Sequence, residues 1–266
     1  MSKIPLKVDT GKGFALHGTL YLKSDAQSDA VIIICHGLRG SRYAEPVRYI
    51  AETLKYHVVS FDFQGNGESG GSTTIGNLDE EAENLHCVIS YVRSTLERGI
   101  LGICGHSKGA AVVLLYASKY NDVPLVINIA ARYDYASPDY VQIFFSDKLE
   151  KLKKDGYFVL SSGLRDYIVR EKDLREREKI DMSCVKNINK EKVRVLTIHG
   201  SNDEICPVDG AYIYDKLIGP EPHHKLIVME GANHSFNERE DELLKTVESW
   251  LFENQSWSLD KRISHE

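Results

Sequence analysis

Ile100-Leu101-Gly102-Ile103-Cys104-Gly105-His106-Ser107-Lys108-Gly109-Ala110-Ala111 is the stretch on which the fold of this chain turns. Its apolar first half reads as a buried strand, breaks at 105–109, and runs into an almost wholly apolar helix over 110–118. A G-x-S-x-G turn between strand and helix is the setting a nucleophile elbow requires. The sharp turn crowds the backbone and admits only very small residues two before and two after the serine. Gly105 and Gly109 meet that demand, so Ser107 Oγ is expected to stand exposed at the carboxyl edge of a sheet. The same letters would also describe an ordinary glycine-rich loop with a surface serine. What decides between the two is whether the remaining sequence supplies a base, an orienting acid and an oxyanion site.

Outward from this stretch, strands and helices alternate. Ala30-Val31-Ile32-Ile33-Ile34-Cys35, Val58-Val59-Ser60-Phe61, the run 124–131, Val193 to Ile198 and Lys225 to Met229 read as further strands, the first of them continuous enough to be buried on both faces. Val47, Ile50, Ala51 and Leu54 share one helical face, as do Leu78, Ala82, Leu85, Val88, Ile89 and Val92, and later Leu243, Leu244, Val247, Trp250 and Leu251. A pair of strands precedes the first buried one. Right-handed crossovers then give an α/β fold with a mostly parallel central sheet covered by helices on both faces. The rhythm breaks over 132–192, which is too rich in aromatics to be a solvated linker and reads as an insertion. Residues 1–131 and 193–266 then form the core, with 255–266 expected to be a polar, mobile tail.

The bulk composition narrows the class. A length of 266 residues, 42% hydrophobic and 27% charged, suits one α/β domain with a small insertion. The formal net charge of −6 speaks against nucleic acid as a partner. No secretory leader and no apolar run long enough to span a bilayer stand out. The five cysteines (Cys35, Cys87, Cys104, Cys184 and Cys206) have no metal-ligand spacing and suggest a reduced, cytoplasmic protein.

A serine hydroxyl needs a neighbouring imidazole to take its proton, and that imidazole needs a carboxylate to orient it. His234 lies in a loop between a strand and the last helix; Asp203 follows the strand before, with Glu204 its rival. His223 and His224 precede their strand, at the wrong edge of the sheet. Gly65-Asn66-Gly67-Glu68-Ser69-Gly70 matches the dinucleotide fingerprint in letters alone: no helix opens at its glycines, and Glu68 puts negative charge where a phosphate would sit. No metal and no cofactor are called for.

With these motifs assembled, the sequence resembles the α/β-hydrolase superfamily. The likeness is greatest to its esterase and lipase-like serine hydrolases, which include serine aminopeptidase-like and cinnamoyl esterase-like members. The His36-Gly37 loop, the glycine-rich 62–70 loop, the 105–109 elbow and the Asp203 and His234 loops carry the match. The resemblance implies Ser107 as nucleophile, His234 as general base and acid, and Asp203 as orienting acid. It also implies an oxyanion hole from the backbone N–H groups of Leu38 and Lys108; the ammonium of Lys108 itself reads as a solvated group rather than a catalyst. Cys206 departs from the family, where valine is common, and brings a thiol near the site. The insertion 132–192 falls where relatives carry a cap. Its Tyr133, Tyr135, Tyr140, Phe144 and Phe145 either line an acyl or aryl pocket or form the cap's own core. The expected activity is cleavage of small-molecule carboxylic esters through an acyl-enzyme. Thioesterase, amidase or peptidase, acyltransferase, and a binding protein with a vestigial triad stay open.

Overall fold

Runs of aliphatic and β-branched side chains form the middle of one sheet. The computed structural model describes residues 1–137, 141, 144–161 and 165–263, with 259–263 described by main chain alone. In it β3 (Val31–Cys35), β4 (His57–Phe61), β5 (Ile100–His106) and β6 (Leu125–Ile129) are buried at every position. With β1 (Ser2–Asp9), β2 (Ala15–Leu22), β9 (Arg194–Gly200) and β10 (His224–Met229) they make an eight-stranded sheet in the order β1-β2-β4-β3-β5-β6-β9-β10. Only the β1–β2 and β2–β4 pairs are antiparallel.

Because successive strand residues point to opposite faces, each run feeds two cores. Ile33 and Cys35 join Val59, Ile103 and Val126 under α2 (Leu78–Ser94) and α3 (Lys108–Tyr120). Ile32 and Ile34 join Leu101, Ile127 and Ile198 under α1 (Val47–Thr53) and α7 (Glu240–Ile263). At roughly 1.5–3 kcal/mol for each large side chain fully buried, these two layers dominate the folding free energy. The helix α3 is apolar nearly all round because sheet, α2 and the 3-10 turn Met182–Asn187 enclose it. It stops at Asn121, whose left-handed backbone suits a C-terminal cap.

Between β6 and β9 the chain forms a 3-10 turn (Ser146–Lys148), α4 (Leu149–Asp155), β7 (Tyr157–Ser161), β8 (Asp166–Arg170) and α5 (Glu171–Glu178). The β7–β8 hairpin is antiparallel and sorts its side chains by the period of two. Phe158, Leu160, Tyr167 and Val169 face inward onto Phe145, Leu152, Leu174 and Ile75, while Tyr157, Val159 and Ile168 face out. This third cluster is separate from the two sheet cores. Residues 162–164, between β7 and β8, lie outside the described residues.

One expectation is corrected here. The chain from Gln255, whose polarity suggested a mobile tail, continues α7 as far as Ile263; 264–266 lie outside the described residues. Leu251, Asn254, Trp257 and Ser258 follow one another at helical spacing, and the face they define is docked. Asn254 Oδ1 accepts from Arg194 at 2.7 Å, the Arg194 guanidinium lies 4.4 Å from the Trp257 ring, and Ser258 is buried. No helix among the described residues is long and apolar enough to cross a membrane.

Candidate active site

The residues singled out in the sequence gather beyond the carboxyl ends of the parallel strands. At the end of β5, Ser107 has φ 58° and ψ −119°, in the left-handed half of backbone space that non-glycine residues avoid. The neighbouring glycines make that turn possible. A Cβ on Gly105 would stand 2.2 Å from the Gly109 carbonyl oxygen, and one on Gly109 2.4 Å from that of His36. The Ser107 N–H donates to Ile129 O at 2.9 Å, tying the turn to the next strand.

His234 Nε2 lies 2.9 Å from Ser107 Oγ, and its Nδ1 lies 2.7 Å from Asp203 Oδ2. The carboxylate is held in turn: its Oδ1 accepts from the N–H groups of Ile205 and Cys206 at 2.9 and 2.7 Å. Its Oδ2 also lies 3.2 Å from Nε2 of His199, a fully buried ring whose role the sequence reading missed. That ring stands at the end of β9, four residues before Asp203, which is the signal that could have found it. Burial works against charge on Asp203, but hydrogen bonds from His199 and His234 outweigh it and hold its carboxyl well below the usual range. The rival Glu204 is exposed. His224 is bonded to Thr197 and Asp215 at the far end of β10, and His223 to Lys190 O.

Two further histidines are structural. His36 Nε2 accepts from the Phe63 N–H at 3.0 Å, so the proton sits on Nδ1, which donates to Gly37 O at 2.8 Å. The ring thereby fixes the 36–40 turn, which passes close to Ser107: a Cβ on Gly37 would lie 3.1 Å from Ser107 Cβ. His106 donates its Nε2–H to the His234 carbonyl at 2.8 Å, pinning the loop that carries that ring. Burial first, and the adjoining His234 second, push the pKa of His106 down to about 3.

That depression predicts acid sensitivity. Above the ordinary imidazole value of 6.5 His106 is neutral folded or unfolded. As pH falls below it only the unfolded chain takes up the proton, so stability is lost from about pH 6.5 down to about 3, by up to ~1.4 kcal/mol per pH unit for this group. Burial also lowers the pKa of His36, His57 and His224, and these add to the same limb. Urea midpoints measured at pH 7 and pH 5 should drop more in the wild type than in His106→Gln, which keeps a donor but cannot titrate. Parallel curves would refute the assignment.

Lys108 opens α3, where an N–H has no acceptor within the helix, so its main chain is available beside Ser107. Its ammonium corrects the expectation that it stands in solvent. Nζ is buried, 2.9 Å from Glu81 Oε1, 2.5 Å from Asn77 Oδ1 and 3.1 Å from Thr74 O. The glycine-rich 65–70 loop holds the protein's own carboxylate: Asp62 accepts from the N–H groups of Arg42 and Glu68 at 2.7 and 3.0 Å and pairs with the Arg42 guanidinium.

A cavity of 390 Å³ opens on Ser107, His234, Leu38 and Lys108. Tyr135, Phe144 and Phe145 line it, and Phe144 and Phe145 also belong to the small cluster around the hairpin. Tyr133 does not line it: its ring packs edge to face on Tyr214 at 5.3 Å, because α6 (Asp209–Ile218) offers it an aromatic partner. Tyr140 lies outside the described residues. The Cys206 thiol lies on the cavity wall, its pKa pushed up to about 12 by burial, so it stays protonated. Among the described residues no group of three or more His, Cys, Asp or Glu side chains is placed to hold a metal ion.

A mostly parallel eight-stranded sheet with this elbow at its centre and these loops at its carboxyl edge defines an α/β-hydrolase. The sequence model of the Hydrolase_4 family (serine aminopeptidase, S33) matches residues 26–241, and the chain belongs to that family. It is 27% identical to the uncharacterized protein YqkD of Bacillus subtilis, over 94% of this chain and 80% of that one. It is 26% identical to the monoacylglycerol lipase of Mycolicibacterium smegmatis, over 85% of this chain and 89% of that one. The ferulic acid-bound structure of Est1E from Butyrivibrio proteoclasticus superposes with a TM-score of 0.75 at 20% identity, covering 93% of this chain and 98% of the other, and so shares the fold. The protein is an esterase/lipase-like α/β-hydrolase.

Proposed function

We propose that this enzyme cleaves carboxylic esters of small acyl or aryl substrates through an acyl-enzyme. The observation that carries the reading is the unbroken series Ser107 Oγ, His234 Nε2, His234 Nδ1, Asp203 Oδ2, at 2.9 and 2.7 Å, opening on an apolar cavity. Ser107 Oγ attacks the ester carbonyl as its proton passes to His234 Nε2. The N–H groups of Leu38 and Lys108 stabilise the oxyanion that forms. The tetrahedral adduct then collapses, the alcohol leaves with the proton from His234, and the acyl group stays on Ser107. Water, deprotonated by the same imidazole, repeats the attack and releases the acid. Asp203 holds the ring in the tautomer with Nδ1–H and stabilises the imidazolium.

A cavity of 390 Å³ with Phe144, Phe145, Leu160 and Ile205 on its walls suits an acyl chain or an aryl ring. The names of the relatives point the same way, one being a monoacylglycerol lipase and one an esterase bound to ferulic acid. We read 132–192 as a cap whose hairpin cluster sets the shape of that cavity. Five cysteines, all free, fit a cytoplasmic setting. The test is labelling of the purified protein by a fluorophosphonate, alongside hydrolysis of a panel of p-nitrophenyl esters. Labelling and turnover are expected in the wild type, both lost in Ser107→Ala. A wild-type protein that folds but takes no label would make this a binding module instead.

A further inference from the structure

His199, the last residue but one of β9, takes no part in the proton transfers at Ser107, yet its ring is fully buried against the proposed orienting carboxylate. Its Nε2 lies 2.8 Å from Cys206 O and 3.2 Å from Asp203 Oδ2. A carbonyl and a carboxylate only accept, so Nε2 carries the proton and directs one N–H at both oxygens in a three-centre bond. Nδ1 is shut off from water with no partner among the described residues. A proton there would be a buried donor left unmade, which fixes the ring as the neutral Nε2–H tautomer.

The 200–206 turn does not depend on this ring for its path. The N–H groups of Ser201 and Asn202 donate to Met229 O and Ala232 O, each at 3.0 Å, and that of Asp203 to Gly200 O at 3.3 Å. Gly200 lets the turn press on the loop that carries His234: a Cβ there would stand 2.2 Å from Ala232 O. The carboxylate is held differently at its two ends. Oδ1 is anchored by the main-chain N–H groups of Ile205 and Cys206, whereas the groups that meet Oδ2 are two imidazoles, His199 and His234. His234 must exchange protons with Ser107, so it is the moving part and cannot also be the fixed point. Of the groups that oppose the effect of burial on this carboxyl, the His199 hydrogen bond is the largest.

We propose that His199 is a positioning residue: its Nε2–H fixes Asp203 Oδ2 independently of His234, so that the acceptor for His234 Nδ1–H is in place before the imidazolium forms. This deepens the proposed esterase mechanism and rests on it. An acceptor oriented in advance lowers the barrier because nothing has to turn as charge develops. His199 does not line the cavity, so its loss is expected to appear in kcat and not in substrate binding.

Two amides separate this role from packing. The side-chain nitrogen of His199→Gln can occupy the place of Nε2, while that of His199→Asn reaches only the place of Nδ1. With p-nitrophenyl hexanoate and the full chain, kcat is expected to fall about 10- to 100-fold in His199→Asn, the range of one lost hydrogen bond to a charged group, with KM within about twofold of the wild type. His199→Gln should recover most of that kcat. Both variants lose the ring, so a part in packing alone would lower kcat in the two alike. Equal kcat in both, or a loss carried by KM, overturns the proposal. Imidazole nitrogen NMR of the wild type at neutral pH tests it even if a variant fails to fold: His199 should be protonated at Nε2 alone, and a proton on Nδ1 overturns it too. Failure of the esterase reading looks different, because the wild type would then show no Ser107-dependent turnover of the ester.

Discussion

Alanine at Ser107 is expected to lower kcat on a neutral ester by about four to six powers of ten, alanine at His234 by a similar amount, and the double variant no further. The reason lies in the geometry: in the proposed mechanism the serine and the imidazole, with Oγ and Nε2 2.9 Å apart, act as one proton-transfer unit. Once either is gone, the other has nothing to act on. What survives is binding in the cavity and the proposed oxyanion donors, since the Lys108 N–H belongs to the start of α3 and does not depend on the serine hydroxyl. Asp203→Asn should cost less, because the ring keeps Nε2 near the serine but loses the acceptor at 2.7 Å that selects its tautomer. Single-turnover rates on an activated ester, with circular dichroism to show that each variant is folded, measure the set. Additive losses in the double variant would mean that His234 acts apart from Ser107, and the proposed mechanism would fall.

How far the sequence could be read follows from the range of the forces involved. The strand ending at Cys35 was legible as two-sided because a run apolar at every position needs no knowledge of its partner. The elbow was legible because its crowding is local, between residues four apart. Ser107, Asp203 and His234 could be brought together on paper because each follows a strand, and parallel strands deliver their carboxyl ends to one edge. Tyr133 and Tyr135, two residues apart, defeat the same logic. One packs on Tyr214 of α6 and the other turns to the cavity, a choice made by distant segments that no periodicity encodes. The last turns of α7 were misread for the opposite reason: Asn254, Trp257 and Ser258 look like a tail by composition and like a helix face by spacing, and the spacing won. His199 was passed over because a second ring on one carboxylate has no sequence pattern of its own.

Lys108 is the misreading with the largest energetic consequence, since a lysine beside a nucleophile looks like a surface charge until its partner, 27 residues earlier, is known. Its side chain reaches from the start of α3 to the first turn of α2, and both it and Glu81 are all but fully buried, with 6% and 3% of their side chains accessible. A buried pair of this kind adds little net stability over an apolar replacement, yet breaking it leaves a charge stranded. Lys108→Met is therefore expected to destabilise the fold by about 3–5 kcal/mol, while Lys108→Met with Glu81→Met recovers most of that loss. The pH dependence separates a stranded charge from a mere packing defect. Burial already raises the pKa of Glu81 even with the ammonium opposing it, and removing the ammonium raises it further. A carboxyl with a raised folded pKa favours the fold while protonated and loses that advantage as pH rises. The deficit of Lys108→Met should accordingly be small near pH 5 and grow toward pH 8. Urea midpoints for the two single variants and the double, at both pH values, measure this directly. A deficit independent of pH, or a double variant no more stable than Lys108→Met alone, would mean that the ammonium is held for reasons other than the Glu81 charge.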